Sequence, residues 1–217
     1  LRAKNDWKDF LPSFENIVGL AQEEAARRAE VLKLSPYDAL VEQYDPGSRS
    51  ADIARVFSDL KGFLKSFIPE ALDAQARRRA KHPLKAFEGP FPIEKQKELG
   101  LELMKAVGFD FHHGRLDISH HPFCGGVPTD VRMTTRYLET CVNDALGSTM
   151  HEAGHGMYEQ GLDATRIGLP MGEAAGLSVH ESQSRLWENQ VGRSRPFWTW
   201  AQTQLPAFFG DACDGFG

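Results

Sequence analysis

Apolar residues recur at three- and four-residue steps through most of the chain, the spacing that puts side chains on one face of a helix. Trp7, Phe10, Leu11, Phe14, Ile17, Val18, Ala21 and Ala25 predict a long amphipathic helix over 7–34, packed through that face. Ser35-Pro36 opens a short helix carrying Tyr37, Leu40 and Val41, and Asp45-Pro46-Gly47-Ser48 reads as a turn. Ser50 or Asp52 caps a helix over 53–67, with Ile53, Val56, Phe57, Leu60, Phe63, Leu64 and Phe67 on its inner side. Pro69 is expected to end it and to open another over 70–81. A loop over 83–92 leads to a helix over 93–107 that stops at Gly108.

The period then changes. Residues 111–119 and 130–135 alternate apolar and polar, as strands do. Between them the Gly/Pro-rich run 120–128 reads as a loop, so 109–136 is predicted to form a two-strand ribbon. Helical spacing returns at Leu138 and runs to a stop at Gly161, with apolar residues on more than one side, the mark of a buried helix. A loop over 162–170, a helix over 171–190 and a final aromatic-rich helix over 197–209 follow. The fold class expected is mainly α, with a helical region over 1–108, the ribbon 109–136 and two helices within 137–191, all in one incomplete domain over 1–217.

Composition narrows the field. The 217 residues are 41% hydrophobic and 25% charged, as in a water-soluble globular chain. A net charge of −5, from 25 basic and 30 acidic residues, argues against a nucleic-acid binder. No apolar run is long enough to span a membrane. Cys124, Cys141 and Cys213 are an odd number without a C-x-x-C pair, which favours a reducing, cytoplasmic setting over a disulfide framework. The chain begins at Leu1 rather than Met and stops without a terminal element, so both ends read as cut.

The candidate chemistry lies in His151-Glu152-Ala153-Gly154-His155. Residues four apart on a helix share a face, so two imidazoles aim at one point and form half of a zinc site. Glu152 sits beside that face, where a carboxylate can act as general base without ligating the metal. Gly147, Gly154 and Gly156 are poor helix formers, and inside a helix such residues point to close backbone packing. A catalytic zinc needs a third protein ligand. Glu181, in an otherwise apolar stretch of the next helix, is the first candidate, because a carboxylate there is costly unless paired or on a metal. Glu173, expected at that helix's start, is the competitor. His180 and Ser184 are candidate orienting groups. Of His112, His113, His120 and His121, only His121 reads as a substrate contact, the others as polar surface.

The ordered motifs His121-Pro122-Phe123, Asp130-x-Arg132-x-Thr134, His151-Glu152-x-x-His155 and His180-Glu181-Ser182-Gln183 resemble the M32 metallocarboxypeptidases, the carboxypeptidase Taq type. Tyr37-Asp38-Ala39-Leu40 and Asp45-Pro46-Gly47 extend the likeness over most of the chain. The resemblance implies a mostly helical, zincin-like metallopeptidase with a small sheet beside a deep cleft. It implies removal of single residues from the free C-termini of peptides, with Zn²⁺ or Co²⁺. Carried over by position, the ligands are His151, His155 and Glu181, and the base is Glu152. Asp130, Arg132 and Thr134 are expected to line the cleft and limit substrate length, with His121 beside them. A homodimer is implied for the full-length protein. The later I-R-x-x-A-D and G-x-x-Q-D-x-H-W motifs of the family do not occur, so the chain reads as a central segment. The other readings open at this point are another HExxH endopeptidase or aminopeptidase, or an inactive chain that only binds metal.

Overall fold

A computed structural model of the protein describes residues 5–83 and 89–210. Five residues of the expected loop over 83–92, and the tail with Cys213, lie outside the described residues. The described residues form seven α-helices and three strands, mainly α with a small sheet. Among the described residues, no helix is long and apolar enough to cross a membrane.

Contacts group the chain into two units, Leu1–Lys81 and His82–Gly217. The first holds α1 (Trp7–Leu32), α2 (Pro36–Tyr44) and α3 (Ser50–Lys81). Ser35 caps α2, its hydroxyl accepting from the Asp38 amide at 3.1 Å. The Asp38 carboxylate in turn accepts from the Ser50 amide at 2.7 Å, which ties α2 to the start of α3. That hydrogen bond leads the effects holding the Asp38 carboxyl below its ordinary range.

Two expectations fail in this unit. Pro69 does not divide α3, which runs unbroken over 32 residues. Alanine, leucine, lysine and arginine on both sides favour helix strongly enough to absorb a proline costing about 3 kcal/mol. The apolar faces of α1 and α3 are also not packed away. Trp7 is 58% exposed and Phe63 57%, and α3 has no buried residue. A stripe at helical spacing specifies a face that can be covered, and within this unit α3 has no cover along its length.

The second unit is built around α5 (Val142–Gln160). On one side of it, α4 (Ile93–Val107) and α7 (Arg195–Phe209) form a core with Phe91, Leu99, Leu103, Leu146, Met150 and Leu205. On another side lies the sheet, through Phe109, Leu116, Val131, Met133 and Ala153. The third side meets α6 (Leu177–Arg185), which widens at Leu186–Val191 into a π-helical stretch. π-turns recur at functional sites.

The ribbon is a three-stranded sheet rather than two-stranded, in the order β1 (Gly114–Ile118), β3 (Asp130–Thr135), β2 (Phe123–Val127). β1 runs parallel to β3 and β2 antiparallel to it, with Val127 opposite Asp130 across a two-residue turn. The segment read as loop is therefore partly strand. Its glycines hide the signal, and Gly126 shows why one is there. Its φ is +129°, and a Cβ would lie 2.1 Å from the Asp130 carbonyl oxygen.

α5 starts four residues later than expected. The Leu138 carbonyl accepts from the Gln96 side chain at 2.9 Å and the Cys141 amide at 3.1 Å, which holds that stretch out of the helix. The helix expected from Met171 begins only at Leu177, after a 3₁₀ turn (Pro170–Gly172) and an extended segment. Glu173 is thus exposed and precedes the helix, so the dipole argument for it does not apply.

The approach of α5 to α6 depends on Gly154. A Cβ there would fall 2.6 Å from the Gln183 carbonyl oxygen and 2.6 Å from the Ser184 Cα, both backbone atoms. Gly154→Ala is expected to destabilise the protein by about 1–3 kcal/mol through overpacking, read as a lower urea midpoint with an unchanged slope. An unchanged midpoint would show that the two helices can separate freely.

Candidate metal centre

His151 and His155 lie on one face of α5, their ring centroids 4.9 Å apart. The Nε2 atoms of both rings face the same oxygen, Oε2 of Glu181, at 3.7 Å from His151 and 3.3 Å from His155. One ligand atom from each residue lies within 4.8 Å of the other two. Zinc bonds to nitrogen and oxygen near 2.0–2.1 Å in tetrahedral geometry require ligand atoms roughly 3.3 Å apart. The donor set and its spacing fit a divalent ion of that size. Glu173 is not in this group.

The far side of each ring is engaged as well. His151 Nδ1 is 2.9 Å from Glu188 Oε2, on the π-helical stretch. An ionised carboxylate only accepts, so Nδ1 carries the proton and the Nε2 lone pair points at Glu181. His155 Nδ1 is 2.6 Å from His180 Nδ1, and His180 Nε2 is 2.7 Å from Glu159 Oε1. The same logic runs along this chain. His180 donates to Glu159 through Nε2, accepts at Nδ1 from His155, and leaves the His155 Nε2 lone pair free. Sequence reasoning counted Glu188 only among the acids of the next helix that could supply a third ligand, and assigned no role to Glu159. The only signal was helical spacing: Glu159 lies four residues after His155 and Glu188 seven after Glu181.

Electrostatics prepare these groups. Burial, with His180 and His151 nearby, lowers the His155 pKa to about 4, so its imidazole is neutral near pH 7. Burial pushes the Glu181 carboxyl up, but hydrogen bonds from Ser184 and Arg185 and the charges of His151 and Arg185 outweigh it and leave the carboxyl below its usual value. Glu181 is not sunk in an apolar wall, because its side chain is 45% exposed. Glu188 is likewise lowered, its desolvation overcome by His151, Arg185 and Arg193.

Glu152 is buried beside His151. Burial raises its pKa to about 7, with Glu181 adding to the rise and His151 opposing it. Cys124 lines the same cleft, and burial followed by Glu152 and Glu159 pushes its thiol to about 12, so it is inert as a nucleophile at neutral pH.

The cleft at this site is a cavity of about 560 Å³ lined by His121, Phe123, His151, Glu152, His155 and Glu181 among others. His121 thus lines the same cavity as the candidate metal-ligand group. Thr134 is not open to the cleft, since its Oγ1 accepts from the Phe123 amide at 3.0 Å and sits 2.7 Å from Ser119 Oγ. It shapes the His121 rim instead. Arg132 and Asp130 pair with each other at 2.9 Å on exposed surface, and neither borders the cavities around His151.

The model of the carboxypeptidase Taq (M32) metallopeptidase family matches residues 1–216. The chain belongs to the M32 family. It is 41% identical over 209 residues to thermostable carboxypeptidase 1 of Thermus thermophilus, covering 91% of this chain and 39% of that protein. Carboxypeptidase 1 of Bacillus subtilis is 40% identical over 166 residues, 76% of this chain and 32% of that one. Among solved structures, Trypanosoma cruzi metallocarboxypeptidase 1 matches with a TM-score of 0.82 at 38% identity, over 97% of this chain and 42% of its own. The M32 carboxypeptidase of Deinococcus radiodurans matches with a TM-score of 0.81 at 38% identity, over 99% and 42%. The chain therefore spans about two fifths of the M32 relatives it matches, and membership of this metallopeptidase family implies a divalent metal.

The geometry of this M32 centre makes the supporting groups testable. Glu188→Ala and His180→Ala should each weaken Zn²⁺ binding roughly 10- to 100-fold by freeing a ligand ring, measured by competition with a chromogenic chelator. Equal affinity in both variants and wild type would show that the rings need no such support. A second expectation concerns Glu152 in metal-free protein. Its pKa is raised on folding from 4.5 to about 7, so between those pH values the folded state binds more protons than the unfolded one. Its contribution to stability therefore falls as pH rises through that window. Glu152→Gln should stabilise the metal-free protein by roughly 1–2 kcal/mol at about pH 8 and lose that advantage below about pH 4.5, read from urea unfolding.

Proposed function

We propose that the protein containing this chain is a zinc-dependent carboxypeptidase that removes single residues from the C-termini of peptides. The observation that carries this reading is the convergence of both Nε2 atoms on one Glu181 oxygen, with Glu152 lining the same cleft. Membership of the M32 family supports it, as do relatives named carboxypeptidases. Two imidazoles and one carboxylate suit Zn²⁺, and Co²⁺ can take the same donors.

When bound, the ion supplies a Lewis acid that polarises the scissile carbonyl and makes a water acidic near neutral pH. The residues of the chain do the rest. His151, His155 and Glu181 would hold the ion, beside the cleft that they line. Glu152 takes the proton from the attacking water and returns it to the leaving amine, for which a carboxyl poised near neutrality is suited. Glu188 on one side, and His180 with Glu159 on the other, keep the imidazoles in the tautomer that binds metal. His121 lies on the rim, where it can contact the peptide.

The test is turnover by the full-length, zinc-loaded protein on matched peptides with a free or an amidated C-terminus. Release of the last residue from the free acid alone is expected, since an endopeptidase or aminopeptidase would cut both. Glu152→Gln is expected to lower kcat at least 10²-fold with unchanged metal content. Retained turnover in that variant would rule out Glu152 as the base. Absence of cleavage in the wild type would rule out the peptidase reading.

A further inference from the structure

Three glycines lie inside α5, and two of them have a visible reason. A Cβ on Gly154 would strike the backbone of α6, and one on Gly156 would lie 2.7 Å from Met133 Sδ and 2.9 Å from Phe109 Cε2. Gly147 has no such reason. Among the described residues, no atom beyond its own helical neighbours lies within 4 Å of a Cβ built there, and its φ is not left-handed. The close packing expected of it from sequence is not present. Glycine is the poorest helix former after proline, so a helix interior holds one where a side chain would be in the way of something.

The position of Gly147 says what that is. Asn143, Gly147, His151 and His155 follow at four-residue steps, so they share one face of α5. Gly147 is one turn, roughly 5.4 Å along the axis, from the first candidate ligand. Two further cavities meet beside it. One, of about 470 Å³, has His151 and Glu152 in its wall, which joins it to the candidate metal centre. The other, of about 330 Å³, is bordered by the apolar side chains of Leu146, Met150, Phe197 and Trp198. Both are bordered by Gly147, together with Asn143, Glu188 and Arg193. A side chain at position 147 would stand between them.

The apolar cavity has one acid and one base at its border, Glu188 and Arg193, and these bind each other at 3.0 Å. Glu188 is held further by His151 and Arg185. A border neutralised in this way offers little to a charged guest, whereas two aliphatic and two aromatic walls favour an apolar one. We infer that Gly147 keeps open a passage from the candidate metal centre into this apolar side pocket, and that the pocket selects a large apolar side chain on a substrate residue next to the scissile bond. The inference rests on the carboxypeptidase reading and adds residue selectivity to it. The released residue and the one before it both flank that bond, and the experiment separates them.

Zinc-loaded full-length wild type, Gly147→Ala and Gly147→Leu are compared on two sets of free-acid peptides, with metal content measured in each. One set varies the last residue among glycine, leucine, phenylalanine, aspartate and lysine, and the other varies the second-to-last in the same way. Wild type is expected to favour leucine and phenylalanine in one set, which names the residue that enters the pocket. Gly147→Leu should lower kcat/KM for those two peptides about 10- to 100-fold, and for the glycine peptide much less, at full metal content. Gly147→Ala should weaken the same preference and raise the urea midpoint of unfolding, because alanine favours helix and its methyl group meets no atom. A lower midpoint would show that another part of the full-length protein fills this space, and would overturn the inference. A wild type with no such preference in either set, or a Gly147→Leu variant that slows every peptide alike or none, would overturn it too. The carboxypeptidase reading stands in each of those cases. A wild type that cleaves no peptide overturns that reading, and this one with it.

Discussion

The contact on which the site depends is the backbone approach of α5 to α6 at Gly154. There a hydrogen replaces any side chain, and the carbonyl of Gln183 and the Cα of Ser184 sit where a Cβ would be. That distance puts Glu181, two residues before Gln183, over the imidazoles one turn apart on α5. Helix axes pack 8–10 Å apart depending on the side chains at the contact, and a glycine here lets α6 come near enough for Glu181 Oε2 to lie 3.3 Å from His155 Nε2. The glycine inside the His-Glu-x-x-His turn therefore belongs to the geometry of the candidate site, although it offers no ligand atom.

The remaining sides of α5 explain why that helix is a firm platform. Leu146 and Met150 are packed into one core, and Ala153 into the other against the sheet. With its position set on two sides, the third can carry polar groups whose partners lie across the helix boundary. These partners are arranged with one logic. Each imidazole spends its Nδ1 on the supporting structure, directly on Glu188 or through His180 on Glu159, and keeps Nε2 for the centre. Burial lowers the basicity of His155 and raises that of Glu152, so one stays neutral and the other stays ready to take a proton near pH 7.

What could be read from the chain alone was whatever depends on local spacing. The His151–His155 pair, the bounds of α4 and β3 and the close-packing role of Gly154 all follow from periodicity and residue type over a few positions. Glu181 was singled out on a partly different ground. It was expected to be a carboxylate in an apolar wall, whereas Leu177 and Val179 on α6 are exposed and Glu181 is half-exposed. Long-range pairing was not legible. β2 is a strand because β3 offers its edge across a two-residue turn, a partnership that Gly125 and Gly126 conceal in local propensity. Glu159 and Glu188 carry no mark of their partners in sequence, since those partners lie 21 and 37 residues away. Pro69 misled for the opposite reason, because a strong local rule was outweighed by the helix formers around it.

The claim beneath all of this is that His151, His155 and Glu181 surround one ion. X-ray absorption at the zinc edge of the zinc-loaded full-length protein tests it most directly. The expected result is a single zinc with two imidazoles and oxygen donors at about 2.0–2.1 Å and no sulfur neighbour. A shell with one imidazole or none, or with sulfur at about 2.3 Å, would contradict it.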